Sequence, residues 1–242
     1  GIRTCGLKRE EVFVTTKLDA FIKDYDGTQA AIEGSLERLG LDYIDLMIIH
    51  APQPWTDFRE DDHYFEGNLA AWCAMEKAYK AGRLRAIGVS NFQQVDIENL
   101  LQNGDVRPMV NQILAHVSNT PFPLIDYCRE HDILVEAYSP MGHGEMMKNR
   151  LVQDMANRYG VSVAQLCIRY CLQLNMLPLP KTANPKHMES NAEVNFEISA
   201  QDMEILKNVE RIKNYGEASL FPVYGGKMDE EGNCTPRDFF KE

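Results

Sequence analysis

The sequence predicts an α/β protein built on a parallel sheet. Three observations carry this expectation: from Glu11 onward short β-branched runs alternate with longer amphipathic stretches, the runs are apolar on both faces, and Gly, Pro, Asn and Asp mark the joins. Strands that bury both faces and are separated by helices pair in parallel, because a parallel crossover needs about a dozen residues or more.

The elements follow in order. Residues 1–9 read as the last turn of a helix and a loop, and the first strand is expected over 12–17, where Val12, Phe13 and Val14 lead into Thr15, Thr16 and Lys17. Apolar residues at helical spacing over 28–39 stop at Gly40, and Leu46, Met47, Ile48 and Ile49 form the heart of a second strand over 45–50. A helix over 65–81 precedes Gly82 and a strand over 85–91; a helix over 95–102 precedes Gly104 and a strand over 109–113. The pattern repeats as a helix over 124–130, a strand over 134–139, helices over 148–158 and 163–174, and a strand over 177–181, with a further helix starting near Pro185.

An open doubly wound sheet and a closed (β/α)8 barrel both satisfy this alternation. The strand ends discriminate, since each expected strand finishes on polar or reactive residues: Lys17, His50, Ser90 with Asn91, Gln112, Tyr138 with Ser139, and Lys181 with Thr182. In a barrel all such carboxyl ends open on one rim, where active sites sit. An open sheet places its ligand at one switch point, usually beside a G-x-G-x-x-G turn, and the sequence has none. The expected fold is therefore a (β/α)8 TIM barrel. Only six strands can be assigned where closure takes eight, so the barrel is expected to lack its first two strand–helix units, either as an N-terminally truncated piece or as a chain completed by another. Residues 1–242 are read as a single domain of this kind, with 212–242 as a C-terminal tail over the mouth.

The chain has 242 residues, 44% of them hydrophobic and 25% charged, enough to bury a substantial core. Its formal net charge of −11 argues against wrapping nucleic acid, and no apolar run approaches the roughly 20 residues of a membrane-spanning helix. Six cysteines show no Cys-x-x-Cys pair and no zinc spacing, so they are read as reduced thiols of a cytoplasmic protein. Six histidines show no helical pairing with a carboxylate, and no metal is expected.

Six motifs, taken in order and spacing, resemble the aldo-keto reductases. They are Glu10-Glu11-Val12-Phe13-Val14-Thr15-Thr16-Lys17-Leu18; Leu39-Gly40-Leu41-Asp42-Tyr43-Ile44-Asp45-Leu46 leading to His50; Gly82-Arg83-Leu84-Arg85-Ala86-Ile87-Gly88-Val89-Ser90-Asn91-Phe92; Val110-Asn111-Gln112-Ile113; Ala137-Tyr138-Ser139-Pro140; and Leu179-Pro180-Lys181-Thr182. The resemblance runs from Gly1 to about Arg211. It implies hydride transfer from NADPH to the carbonyl of a small aldehyde, ketone or keto sugar, with a proton delivered to the oxygen as negative charge builds there.

In that family a Tyr donates the proton, a Lys lowers its pKa, an Asp pairs the Lys, and a His hydrogen-bonds the carbonyl oxygen. By position Lys17 matches the Lys and His50 the His, while the Asp and Tyr belong to the part expected to be missing. The resemblance further implies that Ser90, Asn91, Gln112 and a stacking Tyr138 hold the nicotinamide, and that Ser139 and the backbone near Met141 lie along the pyrophosphate. Lys181, Thr182, Asn184, His187 and Asn191 fall in the segment that grips the adenosine 2′-phosphate, where a helix start near Pro185 adds its positive end. Relatives commonly carry Arg where His187 stands and often Glu where Ser190 stands; a His cannot form the bidentate Arg fork.

The tryptophans common in relatives after the His and after the Lys-Leu pair are replaced by Ala51 and Asp19, and Trp55 is the candidate substitute wall for substrate. Tail aromatics Phe221, Tyr224, Phe239 and Phe240 are candidate covers for the mouth, and His116 is given no chemistry. The expected protein is a monomer when full length, and the isolated chain is expected to turn over little. A noncatalytic nicotinamide-binding barrel serving as a regulatory subunit is the alternative. An unrelated phosphate-binding barrel enzyme using Lys17 is a third reading.

Overall fold

A computed structural model describes residues 1–236. Every expected strand and helix is present. The order is β1 (Thr15–Leu18), α1 (Tyr25–Leu39), β2 (Leu46–Ile49), α2 (Phe65–Lys80), β3 (Ile87–Ser90), α3 (Gln94–Asn103), β4 (Val110–Leu114), α4 (Phe122–Glu130), β5 (Leu134–Tyr138), α5 (Arg150–Tyr159), α6 (Val163–Gln173), β6 (Leu177–Leu179), α7 (Pro185–Ala192) and α8 (Ala200–Lys207). A short antiparallel hairpin, β7 (Lys227–Met228) with β8 (Cys234–Thr235), follows in the tail. The main strands form a six-stranded sheet in chain order, β1-β2-β3-β4-β5-β6, without the reversal of order that marks a doubly wound sheet.

The chain divides within β4 into two units, Gly1–Asn111 and Gln112–Glu242. In the first, β1 pairs parallel with β2 in the register Lys17 to Ile48 and Leu18 to Ile49, and β2 pairs parallel with β3 through Ile48 and Gly88. All four residues of β2 and all four of β3 are buried, as continuous apolar runs covered on both faces should be. A Cβ on Gly88 would stand 2.7 Å from the Val110 carbonyl oxygen, so this strand crossing accepts no side chain there. α1 starts where Asp24 Oδ1 accepts the Gly27 amide at 2.7 Å, buries Ile32 and Leu36, and stops at Gly40 in the left-handed conformation, φ 62°.

In the second unit β5 and β6 pair parallel, Tyr138 opposite Leu179. α6 opens on a capping box, with Ser162 Oγ accepting the Gln165 amide and Gln165 Oε1 accepting the Ser162 amide, and it buries Leu166, Cys167, Ile168, Tyr170 and Cys171.

Three sequence expectations are adjusted. The opening residues are not a helix end but a single turn closed by the Thr4 amide on the Gly1 carbonyl at 3.0 Å, then bends and a 3-10 turn at Arg9–Glu11. The first strand begins at Thr15 rather than residue 12, because the Val14 amide donates to the buried Asp45 carboxylate (2.9 Å) instead of to a strand. α8 was not expected, although Ser199 capping the Asp202 amide at 3.1 Å is a legible start signal in the sequence.

Among the described residues no helix is long and apolar enough to cross a membrane, and no group of three or more His, Cys, Asp or Glu is placed to hold a metal ion.

Candidate active site

The first unit brings five expected residues together at the carboxyl ends of β1, β2 and β3. Lys17 is the penultimate residue of β1, and the β1–β2 pairing continues past the ladder as the His50 amide donates to the Leu18 carbonyl at 3.1 Å. His50 is half-buried, and its pKa is lowered to about 4 by burial first and then by the Lys17 charge, against the opposing Asp19. At neutral pH it is therefore an uncharged imidazole with one N–H donor and one acceptor. The edge of Trp55 meets it at 4.9 Å between centroids with an interplanar angle of 89°, and Phe58 lies 5.3 Å beyond Trp55. Ser90 closes β3 and is buried; Asn91 follows it with φ 61°, a left-handed conformation that Asn tolerates better than most residues. Asn91 Nδ2 donates to the His50 carbonyl at 3.0 Å and lies 3.2 Å from Ser90 Oγ. An amide expected to meet a nicotinamide thus also braces the histidine's own backbone.

Sequence reasoning gave no role in the site to three polar residues of this unit. Asp19 acts on His50 electrostatically; Lys23 Nζ donates to the Ala51 carbonyl and to Asn68 Oδ1, both at 2.8 Å; and Asn68 is buried. None had a periodic signal: Asp19 and Lys23 stand in an irregular loop, and Asn68 reads as an ordinary helix residue.

In the second unit Gln112 lies inside β4 rather than at its end, buried, with Nε2 donating to the buried Glu136 Oε2 at 2.7 Å. The signal for Glu136 was visible, since it is a lone charge between Val135 and Ala137. Tyr138 ends β5 half-buried, and Ser139 takes φ 52°, a costly conformation for a residue other than Gly or Asn. Ser139 Oγ and His143 Nε2 each lie 2.8 Å from the Tyr224 hydroxyl, while Met141 leads into the 3-10 segment Gly142–Lys148. Tyr224 packs 4.9 Å from Tyr215, whose hydroxyl meets His116 Nε2 at 3.0 Å. Burial, then the Arg211 charge, lowers the His116 pKa to about 4. Phe221 is exposed, and Phe239 and Phe240 lie outside the described residues.

Further along, Thr182 Oγ1 accepts the Asn184 amide at 3.1 Å and Asn184 Oδ1 accepts the Lys186 amide at 3.0 Å, which starts α7 with Pro185 in its first turn. Lys181, Asn184, Lys186 and His187 are exposed and Thr182 and Asn191 half-buried. Two ammonium groups, a hydroxyl and a helix start make a donor set that fits a phosphate.

Comparison with known proteins gives one answer. The family model described as the aldo/keto reductase family matches residues 4–211. The glyoxal reductase of Bacillus subtilis (strain 168) is 39% identical over 217 residues, covering 89% of this chain and 75% of that protein. The aldo-keto reductase MGS-M4 from a Medee basin deep-sea metagenome library superposes with a TM-score of 0.80 at 32% identity, over 86% of this chain and 75% of that one. A Bombyx mori aldo-keto reductase solved in complex with NADP superposes with a TM-score of 0.77 at 31% identity, over 90% of this chain and 74% of that one.

Proposed function

The chain belongs to the aldo/keto reductase family, and on that premise we propose that it is the larger part of a (β/α)8 barrel enzyme reducing a small aldehyde, ketone or keto sugar with NADPH. The supporting observation is the uncharged His50, set beside Lys17 at the ends of adjacent strands with Trp55 against its ring. The third reading, an unrelated barrel, falls with the family match. The noncatalytic alternative draws no support from relatives named as reductases.

When bound, NADPH supplies the hydride. Ser90, Asn91, Gln112 and Tyr138 are the residues proposed to hold its nicotinamide, Ser139 and Met141 its pyrophosphate, and Lys181, Thr182, Asn184, His187 and Asn191 its 2′-phosphate. A solved family member in complex with NADP supports the choice of cofactor; the residues are assigned to it from the resemblance.

The chain's own chemistry is that of an electrostatic clamp. His50, neutral at pH 7 because burial and Lys17 oppose its protonation, offers an N–H to the substrate oxygen without giving up a proton. Lys17 adds fixed positive charge on the side where negative charge accumulates. Trp55 and Phe58 give the substrate an apolar wall, which suits small carbonyl compounds over highly charged ones.

The resemblance also asks for an Asp and a proton-donating Tyr, and these we place on strand–helix units upstream of Gly1. Six strands in the sheet, against eight in a closed barrel, support that placement. Turnover of an aldehyde panel with NADPH, measured with the upstream coding sequence restored, tests the proposal. NADPH oxidation that depends on aldehyde supports it; tight NADPH binding with no turnover of any carbonyl overturns it.

A further inference from the structure

Beyond β2 the chain leaves the sheet and stays buried. Ala51, Pro52, Gln53 and Pro54 are all buried, and Pro52 and Pro54 bring no amide hydrogen of their own. Buried carbonyls without a sheet partner must find donors elsewhere. Three side chains from three different elements meet three consecutive carbonyls: Asn91 Nδ2 donates to His50 at 3.0 Å, Lys23 Nζ to Ala51 at 2.8 Å, and Asn68 Nδ2 to Pro52 at 2.7 Å. Lys23 and Asn68 are joined to each other, and Asn68 Nδ2 also reaches the His63 carbonyl at 3.1 Å, so the loop 51–63 is held at both its ends by one pair. Trp55 and Phe58 stand on that loop.

We propose that Lys23 is a positioning residue, which sets the His50 imidazole and the Trp55 wall through the Ala51 carbonyl. The inference rests on the reading of His50 as the group that meets the substrate oxygen. A half-buried amine is an expensive choice for a carbonyl anchor, and its position is telling. An Asn or Ser could not span from the loop before α1 to both Ala51 and Asn68, whereas a four-carbon stem can bury its methylenes and deliver donors at its tip. Burial lowers the Lys23 pKa to about 7, against the charges of Asp96 and Asp19. The neutral amine still carries two N–H donors for its two acceptors, so the anchor holds on either side of that pH. Asp96, which faces Lys23, is itself held by His63 Nδ1 at 2.7 Å and by the Gln93 amide at 2.8 Å; Lys17 and Asp19 are the charges that act on His50.

The test reads resonances rather than turnover, so its failure is separable from failure of the reductase reading. In the labelled chain, Lys23→Met is expected to raise the His50 ring titration midpoint by roughly one pH unit as water reaches the loosened loop. It should also shift the Trp55 indole signal while leaving Trp72, buried and donating to the Val106 carbonyl at 2.9 Å, in place. Lys23→Arg, which keeps charge and donors, should restore the His50 midpoint. Wild-type values for both His50 and Trp55 in a folded Lys23→Met protein overturn the proposal. Should that variant not fold, the wild-type chain decides: the Ala51 carbonyl carbon shift should titrate with the Lys23 midpoint, and an Ala51 shift that stays flat through that range overturns it.

Discussion

His50 and His116 show how one physical cause serves two ends. Burial lowers both pKa values to about 4, in one case beside Lys17 and in the other beside Tyr215. For such groups the unfolded chain binds a proton that the native chain refuses between the two pKa values. Their stabilising contribution is thus complete above the ordinary pKa of about 6.5 and is lost as pH falls toward 4. His116→Gln, which can still hydrogen-bond the Tyr215 hydroxyl, should flatten that acid slope by an amount on the order of 2 kcal/mol. Thermal melts at pH 7.5 and 4.5 would show it, and an unchanged slope would mean that other groups carry the acid loss. In the proposed reading the same neutrality of His50 is chemical. In a form that carries the proposed upstream units, His50→Gln is expected to lower kcat/KM by about 100-fold or more while leaving the NADPH Kd within a factor of about two. Lys181→Met should act in the opposite way, narrowing the NADPH over NADH preference by about tenfold, the worth of one charge-assisted contact, with little change in kcat.

Elements were legible where local chemistry settles them. Gly40 after α1 marked a helix end correctly, because caps are satisfied within four residues, and the Ser162 and Gln165 pair at α6 is a cap of the same local kind. Boundaries failed where a distant partner intervened, as when Asp45 draws off the Val14 amide and shortens β1. β3 carries the sharpest test at this scale. Gly88→Ala would press a methyl group to 2.7 Å from the Val110 carbonyl oxygen and 3.1 Å from Ile48 Cγ2, neither of which is the free end of a flexible chain. A loss of about 1–3 kcal/mol is expected in a urea melt, and a neutral result would show that β3 and β4 can move apart.

For the whole molecule, charge and completeness matter most. A formal net charge of −11 repels a dinucleotide phosphate at long range, so the exposed Lys181 and Lys186 must act locally. NADPH affinity should therefore fall as salt screens those two groups, measurable by fluorescence titration between low and moderate ionic strength; no salt dependence would place the phosphate elsewhere. On the proposed reading, residues 1–242 alone are expected to oxidise NADPH with aldehyde at least about 100-fold more slowly than a form that carries the proposed upstream units, since a proton donor acts in the transition state. Equal rates would move the donor into this chain.

By itself the sequence determined the α/β class, the run of strands and helices, and the placement of Lys17, His50, Ser90 and Asn91 at or next to strand ends, because periodicity and order along the chain carry that information. The partners those residues keep were decided by tertiary structure alone. That Asn91 braces the His50 carbonyl, that Lys23 and Asn68 hold the next two, and that Glu136 takes the Gln112 amide all depend on groups 16 to 41 residues apart in the chain. Such pairings leave no periodic trace. Hydrogen bonds form by distance in space, and only the folded backbone sets that distance.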